Sequence, residues 1–498
     1  MCIPIKEWRS ETSHLRGARK ANSFEQSLRK SVLTLYMSTT DDLRIRHLLN
    51  RFGLGASRED LQHYGGRPWR DSVDLLLNES RPDESVRLPD SFFEAGTPGL
   101  QRMSQLQGHW YRRLLITRHP LQHRMLLFWH DHFATNSTKV RLAQAMSQHM
   151  ETLYENSLGS FRDLIGAVSK DPAMIIWLDQ QDNTKASPNE NFAREVMELF
   201  TLGVDNGYTE EDIQEAARAF TGWTYAQRRG RGNRSTGFNF DQANHDAGSK
   251  TLFGKVGNFD GDDVLDMLCA NPGTARHLTE KVWEYFAYEK PEAKVIDRIS
   301  EEFRDSGLKI KTLLRSVMLA EEFYSDRALG TRVKSPVDFC VGTARAIGVQ
   351  RLERADAARP VAFGSLMKVA TRDMGMELLS PPDVAGWPHG RAWISSATMT
   401  KRIAWANLLF LGEQQSLTRN RRQSPPFTAR EFFRAQTPAE LAVELVKVLD
   451  APLDAEQIQT VVDAANRVGR GSLTTQNFNE IAAEVAKIIF GAPEFHVH

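Results

Sequence analysis

Helix start signals recur along this chain, and they constrain its fold more than any other feature. Ser187 is followed by Pro188 and Glu190, so a hydroxyl can cap a helix, proline fits its first turn and the glutamate reaches back to the cap. The same pattern begins the segments at 209–212 and 437–440. We therefore expect a protein that is mainly α-helical.

The expected helices together form a multi-helical globular core. They cover residues 41–52, 69–78, 101–118, 141–158, 160–169, 188–202, 209–222, 262–270, 274–287, 294–305, 309–320, 336–347, 362–374 and 396–411. A further helix is expected to restart at Pro120, because proline suits a first helical turn. The amino-acid composition changes near residues 236–257, where glycines and asparagines accompany the alternating Phe238 and Phe240. That segment predicts one small β-hairpin or a long ordered loop.

The length of 498 residues exceeds the usual size of one domain. We expect a tail at 1–40, a helical core domain at 41–415, a linker at 416–428 and a C-terminal helical subdomain at 429–498. The tail is expected to be disordered or to lie upstream of the true start, because Met37 precedes a good helix start. Residues 488–496 are similar to residues 316–324, which either reflects a duplicated helical pair or is chance.

Composition limits the classes of partner. Lys plus Arg and Asp plus Glu both number 63, so no overall attraction to nucleic acid follows. The arginines at 228–234 are expected to lie in a solvated loop. No apolar run approaches the ~18–20 residues of a membrane span. Residues 1–36 lack the apolar core of a secretory signal, which predicts a cytoplasmic protein.

Polar residues interrupt the apolar pattern at residues 129–136, Trp-His-Asp-His-Phe-Ala-Thr-Asn. His130 and His132 would lie about 200° apart on a continuous helix, so they can share a metal ion only if the helix ends near His130. Asp131 could then bind the ion or orient a histidine, with Asn136 behind it. The alternative is that these groups cap a helix end and bond buried carbonyls.

A second polar group lies on the helix expected at 188–202. Asn191, Glu195 and Glu198 share one of its faces, and Arg194 can pair with a glutamate one turn away. If this face is buried opposite the histidines, the carboxylates form a metal site or an acid–base pair. If it is exposed, it is an ordinary solvated face.

A third group is the loop around His245 and Asp246, where a site or an Asx-type turn is expected. Familiar signatures of NTPases, α/β-hydrolases, zincins and dehydrogenases are absent from the sequence.

Several of these stretches resemble a large bacterial family known as domain of unknown function 1800. They are residues 47–55, 129–136, 188–203, 208–213, 217–223, 245–246, 386–388 and 393–394. Gln180 departs from the glycine that the resemblance leads us to expect after Trp-Leu-Asp. The resemblance implies no activity. It implies at most an exported protein of the periplasm or cell envelope whose partner is a sulfatase-like protein encoded by a neighbouring gene.

Two functions follow as hypotheses. The first is a non-catalytic, envelope-related binding or assembly protein in which the polar residues form a buried network. The alternative is a metal-dependent hydrolase acting on an anionic or polymeric substrate. In that alternative, His130, His132 and His245 bind a divalent metal ion, and Arg194, Glu195, Glu198 and Asp246 act in catalysis. Asp131, Asn136 and Asn191 would support the ligands.

Overall fold

The computed structural model describes residues 39–83, 88, 90–93, 99–229, 234–355, 362–412 and 429–498. Nearly all of the expected tail and the whole of the linker expected at 416–428 lie outside the described residues. The described part of the chain is mainly helical, at about 65%, and contains 22 α-helices. The prediction of a mainly α fold is therefore confirmed.

The helices of the first half surround the polar motif. They are α1 (Thr40–Phe52), α2 (Arg58–Tyr64), α3 (Trp69–Leu77), α4 (Gly99–Ile116), α5 (Pro120–His132), α6 (Ser137–Val140), α7 (Ala143–Asn156), α8 (Phe161–Ser169), α9 (Pro172–Trp177), α10 (Asn191–Glu195) and α11 (Glu210–Ala219). Thr209 caps α11 in a capping box with Asp212, as its sequence predicts.

The helices of the second half follow a β segment. They are α12 (Gly261–Ala270), α13 (Pro272–Phe286), α14 (Ala293–Asp305), α15 (Ile310–Leu319), α16 (Pro336–Ile347), α17 (Val349–Ala355), α18 (Ala362–Asp373), α19 (Ser396–Leu411), α20 (Pro438–Val448), α21 (Ala455–Gly469) and α22 (Phe478–Gly491). None of the helices in the described ranges is both long and apolar enough to cross a membrane.

The β segment consists of two antiparallel hairpins. In the first, β1 (Trp223–Arg229) pairs with β2 (Arg234–Phe240), and in the second, β3 (Lys250–Leu252) pairs with β4 (Lys255–Gly257). The expected β element is thus confirmed, although it begins earlier, at Trp223. The expectation of a solvated loop at 228–234 was wrong for residues 228–229 and 234, which belong to β1 and β2, and residues 230–233 lie outside the described residues.

The helix expected at 188–202 differs from the prediction. It begins at Asn191, because Ser187 pairs with Thr184 in a short turn and does not cap it. After Glu195 it widens into a π-helix, Val196–Thr201, in which the Thr201 hydroxyl donates to the carbonyl of Val196 at 2.6 Å. π-turns leave carbonyl groups free for other donors and often accompany functional sites.

The C-terminal segment 429–498 shares its buried apolar residues with the same hydrophobic cluster as the rest of the chain. Asn479 of α22 donates to the carbonyl of Phe410 in α19 at 2.7 Å, and Phe339 of α16 packs on Phe490 and Phe495. A separate C-terminal subdomain stays a prediction.

Two segments have the same order of elements. In 272–324, α13, α14 and α15 are followed by extended Ala320 and a four-residue 3-10 helix, Glu321–Tyr324. In 438–496, α20, α21 and α22 are followed by extended Ala492 and the 3-10 helix Pro493–His496. Each segment also begins with proline in the first turn. The similarity of 316–324 and 488–496 therefore extends to three-helix units.

Candidate functional site

His130 lies fully buried on α5. Because this helix continues through His132, the two imidazoles project from different faces and do not meet. The backbone N–H of Leu379 donates to His130 Nε2 at 3.0 Å, so this nitrogen carries no proton. Burial and the nearby His149 lower the pKa of His130 to about 3. His130 thus holds residue 379 in place as a neutral imidazole.

His132 bonds a different segment. Its Nε2 donates to the carbonyl of Phe200 at 3.2 Å, at the end of the π-helix. Burial, then the charges of Lys281 and His277, lower its pKa well below the usual value for histidine. His132 is therefore neutral as well, and it fixes the π-helix to α5.

Asp131, between the two histidines, bonds a third segment. Its Oδ1 accepts the backbone N–H of Trp387 at 2.8 Å, and its Oδ2 lies 2.9 Å from His389 Nε2. Gly386 has φ +92°, and a Cβ there would overlap the Asp131 carboxylate. Only glycine allows this approach without strain, so the segment around 386–389 is shaped to bind Asp131.

A cavity of about 670 Å³ opens beside this contact. Its lining includes Phe128, Asp131, Lys281, Tyr285, Arg332 and His389. The volume lies within the ~300–1,000 Å³ range of small-molecule sites. The walls come from α5, α13 and the segments at 331–333 and 385–391, so sequence-distant elements meet here.

Cationic side chains occupy one wall of the cavity. The guanidinium of Arg332 lies 4.4 Å from the ring centre of Tyr285, and its Nη1 is buried with no hydrogen-bond partner among the described residues. Burial lowers the pKa of Lys281, although the charges of Asp131 and Glu284 act in the opposite direction. Glu284 and Glu289 also line the cavity, so its surface carries both charges.

Further cations lie behind Arg332. Arg51 donates to the carbonyls of Phe286 and Ala287 at 3.1 Å each. Burial lowers its pKa, and the charge of Arg332 lowers it further. Burial also lowers the pKa of Lys334 to about 8. The buried carboxylate of Asp338 interacts with Arg51, Lys334 and Arg332 and offsets part of this positive charge.

The acidic residues expected in catalysis lie elsewhere. Arg194 bridges three carboxylates, at 3.1 Å from Glu190, 3.3 Å from Glu198 and 2.7 Å from Glu210. Burial, then the charge of Glu198, raise the pKa of Glu195. This group is a partly exposed ion-pair network on α10 and the start of α11.

Asp246 and His245 form another local group. Asp246 accepts from Arg218 Nε at 2.7 Å and from the backbone N–H of Gly248 at 2.8 Å. His245 Nδ1 lies 2.9 Å from the carbonyl of Thr221. These contacts shape the loop between β2 and β3.

The two asparagines bond backbone carbonyls. Asn136 Nδ2 donates to Pro381 at 2.7 Å, and its Oδ1 caps α6 at Thr138. Asn191 Nδ2 donates to Leu178 at 3.0 Å. Both join loops to helix ends.

The residues predicted as one cluster thus lie in separate places. Within the described ranges, no group of three or more His, Cys, Asp or Glu side chains is arranged to hold a metal ion. The divalent metal ion stays a prediction. Sequence reasoning missed Lys281, Tyr285, Arg332 and His389. The signal for His389 was its place in the loop 380–393, which Trp387 and Trp393 hold by burial.

The comparisons with known proteins give one match. The model of a family described as "Protein of unknown function (DUF1800)" matches residues 47–497, nearly the whole chain. No curated protein and no solved structure matches. The family resemblance seen in the sequence is confirmed.

Proposed function

The chain belongs to the DUF1800 family of proteins of unknown function, and we propose that it binds a ligand with an anionic group in the cavity beside Asp131. The observation that carries this proposal is the state of Arg332. Its guanidinium is stacked on Tyr285, and one of its nitrogens is buried with an unused donor. Arg332 lines the cavity, so its guanidinium is within reach of a ligand there, and anionic oxygens suit such a donor.

Carboxylate, sulfate and phosphate groups suit such a donor, because a planar guanidinium can bind two oxygens at once. Lys281, on the same cavity lining, adds a second cation. Arg391, which is exposed and also lines the cavity, adds a third. The acidic Glu284 and Glu289 favour a ligand that also offers hydroxyl donors. A polar molecule with one acidic group fits both features.

The polar motif of α5 supports the binding role, because it joins the segments that form the cavity. His130, Asp131 and His132 fix residues 379, 387–389 and 200. Such a network keeps a cavity in shape. A cytoplasmic location stays a prediction, and from the family resemblance alone we propose as its alternative a place in the periplasm or cell envelope beside a sulfatase-like partner. A metal-dependent hydrolase stays an untested alternative.

Calorimetric titration with 6-hydroxyhexanoate, which has one carboxylate and one hydroxyl group, and with adipate, sulfate and phosphate tests the proposal. We expect Arg332→Gln to weaken binding about 10- to 100-fold, because a hydrogen bond to a charged group contributes ~1.5–3 kcal/mol. Arg391→Gln should weaken it less, since that side chain is exposed. Arg304→Gln is the matched control, because Arg304 is an exposed arginine that pairs with neighbouring Asp305 at 3.1 Å. Binding that is absent, or equally strong in all variants, would refute the proposal.

A further inference from the structure

We propose that Asp131 and His389 act together as the general base of a hydrolytic reaction, in which water cleaves an acyl ester of a substrate held in this cavity by its anionic group. This inference rests on the proposed function, since it assigns the substrate class and the chemistry of the same cavity. His389 is the catalytic residue, and Asp131 is a positioning residue that acts through it.

The geometry of the pair supports this role. Asp131 is only 13% exposed and already accepts the N–H of Trp387, so its carboxylate has a fixed position. His389 is 50% exposed, and its Nε2 lies 2.9 Å from Asp131 Oδ2. In the proposed reaction Nε2 faces Asp131 and Nδ1 takes the proton from water. A carboxylate beside one nitrogen of a histidine favours the tautomer in which that nitrogen carries the proton.

Two neighbours of His389 restrict its orientation and supply a positive charge for the reaction. The ring of Tyr285 meets the imidazole edge to face, with centroids 6.0 Å apart, and restricts its orientation. Lys281 lines the same cavity, and its charge interacts with that of Asp131. One ammonium group beside a general base can stabilise the single negative charge that develops on a carbonyl oxygen.

The substrate of the proposed reaction is an acyl ester. His389 Nδ1 removes a proton from water while the water oxygen forms a bond to the carbonyl carbon. The carbonyl electron pair moves to its oxygen, where Lys281 faces the negative charge. The pair then returns, the bond between the carbonyl carbon and the ester oxygen breaks, and the proton on Nδ1 passes to the leaving alcohol. The products are a carboxylic acid and an alcohol, and His389 is neutral again.

The competing explanation is that His389 only attaches its loop to Asp131. His389→Gln separates the two roles, because the amide nitrogen of glutamine takes the place of Nε2 and can still donate to Asp131. Glutamine has no second nitrogen to accept a proton. We therefore expect this variant to keep its melting temperature and its adipate affinity, and to lose about 10²- to 10⁴-fold in kcat with little change in KM.

The probe is the mono-4-nitrophenyl ester of adipic acid, with 4-nitrophenyl hexanoate as the uncharged comparison. The matched control is His63→Gln, because His63 forms a second histidine–carboxylate pair, with Glu79 at 3.0 Å, outside the cavity. We expect the control to hydrolyse the charged ester at the wild-type rate. Arg332→Gln should raise KM for the charged ester and remove the preference for it over the uncharged ester.

The outcomes separate the two proposals. Adipate binding that depends on Arg332, without turnover of the ester, would overturn the catalytic role and leave the binding function intact. If His389→Gln hydrolyses the ester at the wild-type rate, the catalytic role is likewise overturned and the binding function stays intact. Turnover that requires His389 but shows no dependence on Arg332 would support the general base and refute the anion site. If His63→Gln also lost turnover, the hydrolysis would not be specific to the histidine in the cavity, and the inference would be overturned.

Discussion

Replacing Asp338 with asparagine removes a negative charge from a buried ion pair and leaves its shape almost unchanged. Asp338 and Arg124 pair with exposed side-chain fractions of 3% and 1%. Asparagine can still accept the N–H of Ser335 at the start of α16, which Asp338 accepts at 3.1 Å. The substitution therefore tests the charge and spares the helix cap.

The expected loss is about 3–5 kcal/mol of unfolding free energy, the range for a buried ion pair that loses one partner. Arg124 would keep its bond to the carbonyl of Gly53 at 2.7 Å but would face Arg51 and Arg332 without a counter-charge. The control is Asp74→Asn, because Asp74 and Arg315 form a pair in which both side chains are 52% exposed. An exposed pair contributes at most about 1 kcal/mol.

Urea unfolding at about pH 7 and about pH 3 measures the loss of unfolding free energy in Asp338→Asn and in the control Asp74→Asn. Burial alone would raise the pKa of Asp338, but Arg124, then His498 and Arg332, outweigh it and hold that pKa well below the usual range. A carboxyl whose pKa is lowered by folding stabilises the protein above the unfolded pKa of about 4, and this contribution is lost as the pH falls. The difference between wild type and Asp338→Asn should therefore shrink at about pH 3.

If Asp338→Asn loses less than about 1 kcal/mol of unfolding free energy at neutral pH, or loses as much in acid as at neutral pH, the stabilising role of the buried charge is refuted. An unchanged urea m-value in both variants is required for the comparison, since it shows that the same surface unfolds.

Three further predictions concern the residues around the cavity and the polar motif. Gly386→Ala should lower stability by about 1–3 kcal/mol and weaken adipate binding, because its left-handed backbone and its contact with Asp131 exclude a Cβ; unchanged urea midpoint and affinity would contradict this. His130→Ala should cost at least about 1–3 kcal/mol in urea unfolding, since the N–H of Leu379 loses its buried acceptor; a loss below about 0.5 kcal/mol would count against that role. Glu195→Gln should change the unfolding free energy by less than about 0.5 kcal/mol, since Glu195 is only partly buried and lies outside the ion pairs of Arg194; a loss above about 2 kcal/mol would indicate a buried structural role.

The sequence predicts most of the helices because their signals are local. Thr209 and Asp212 form a capping box whatever the rest of the chain does, and α11 begins there. Ser187 carries the same signal but pairs with Thr184, since tertiary contacts hold Asn189 and Asn191 against residues 178–179. A local signal was overridden there by side chains from another segment.

The cavity could not be predicted in the same way, because its lining residues are spread from Phe128 to Val497. Lys281 and Arg332 look like ordinary surface cations in the sequence. Arg332 differs only in being stacked on Tyr285 with one nitrogen buried, which depends on the packing of α13 against the segment 331–333. Burial of a charged side chain is a property of the fold and has no local signature.

The polar motif of α5 shows how one helical turn connects distant segments. Successive residues on a helix point about 100° apart, so His130, Asp131 and His132 reach residue 379, residues 387–389 and residue 200. Two of these contacts end on the backbone, with neutral imidazoles that have lowered pKa values. The third joins a carboxylate to a half-exposed histidine at a cavity wall, whereas Nδ1 of His130 and Nδ1 of His132 are buried without a hydrogen-bond partner in the described part of the chain. Of the three contacts, it is the one whose imidazole is open to solvent. The same spacing that prevents His130 and His132 from sharing a metal ion therefore places Asp131 where it can orient His389.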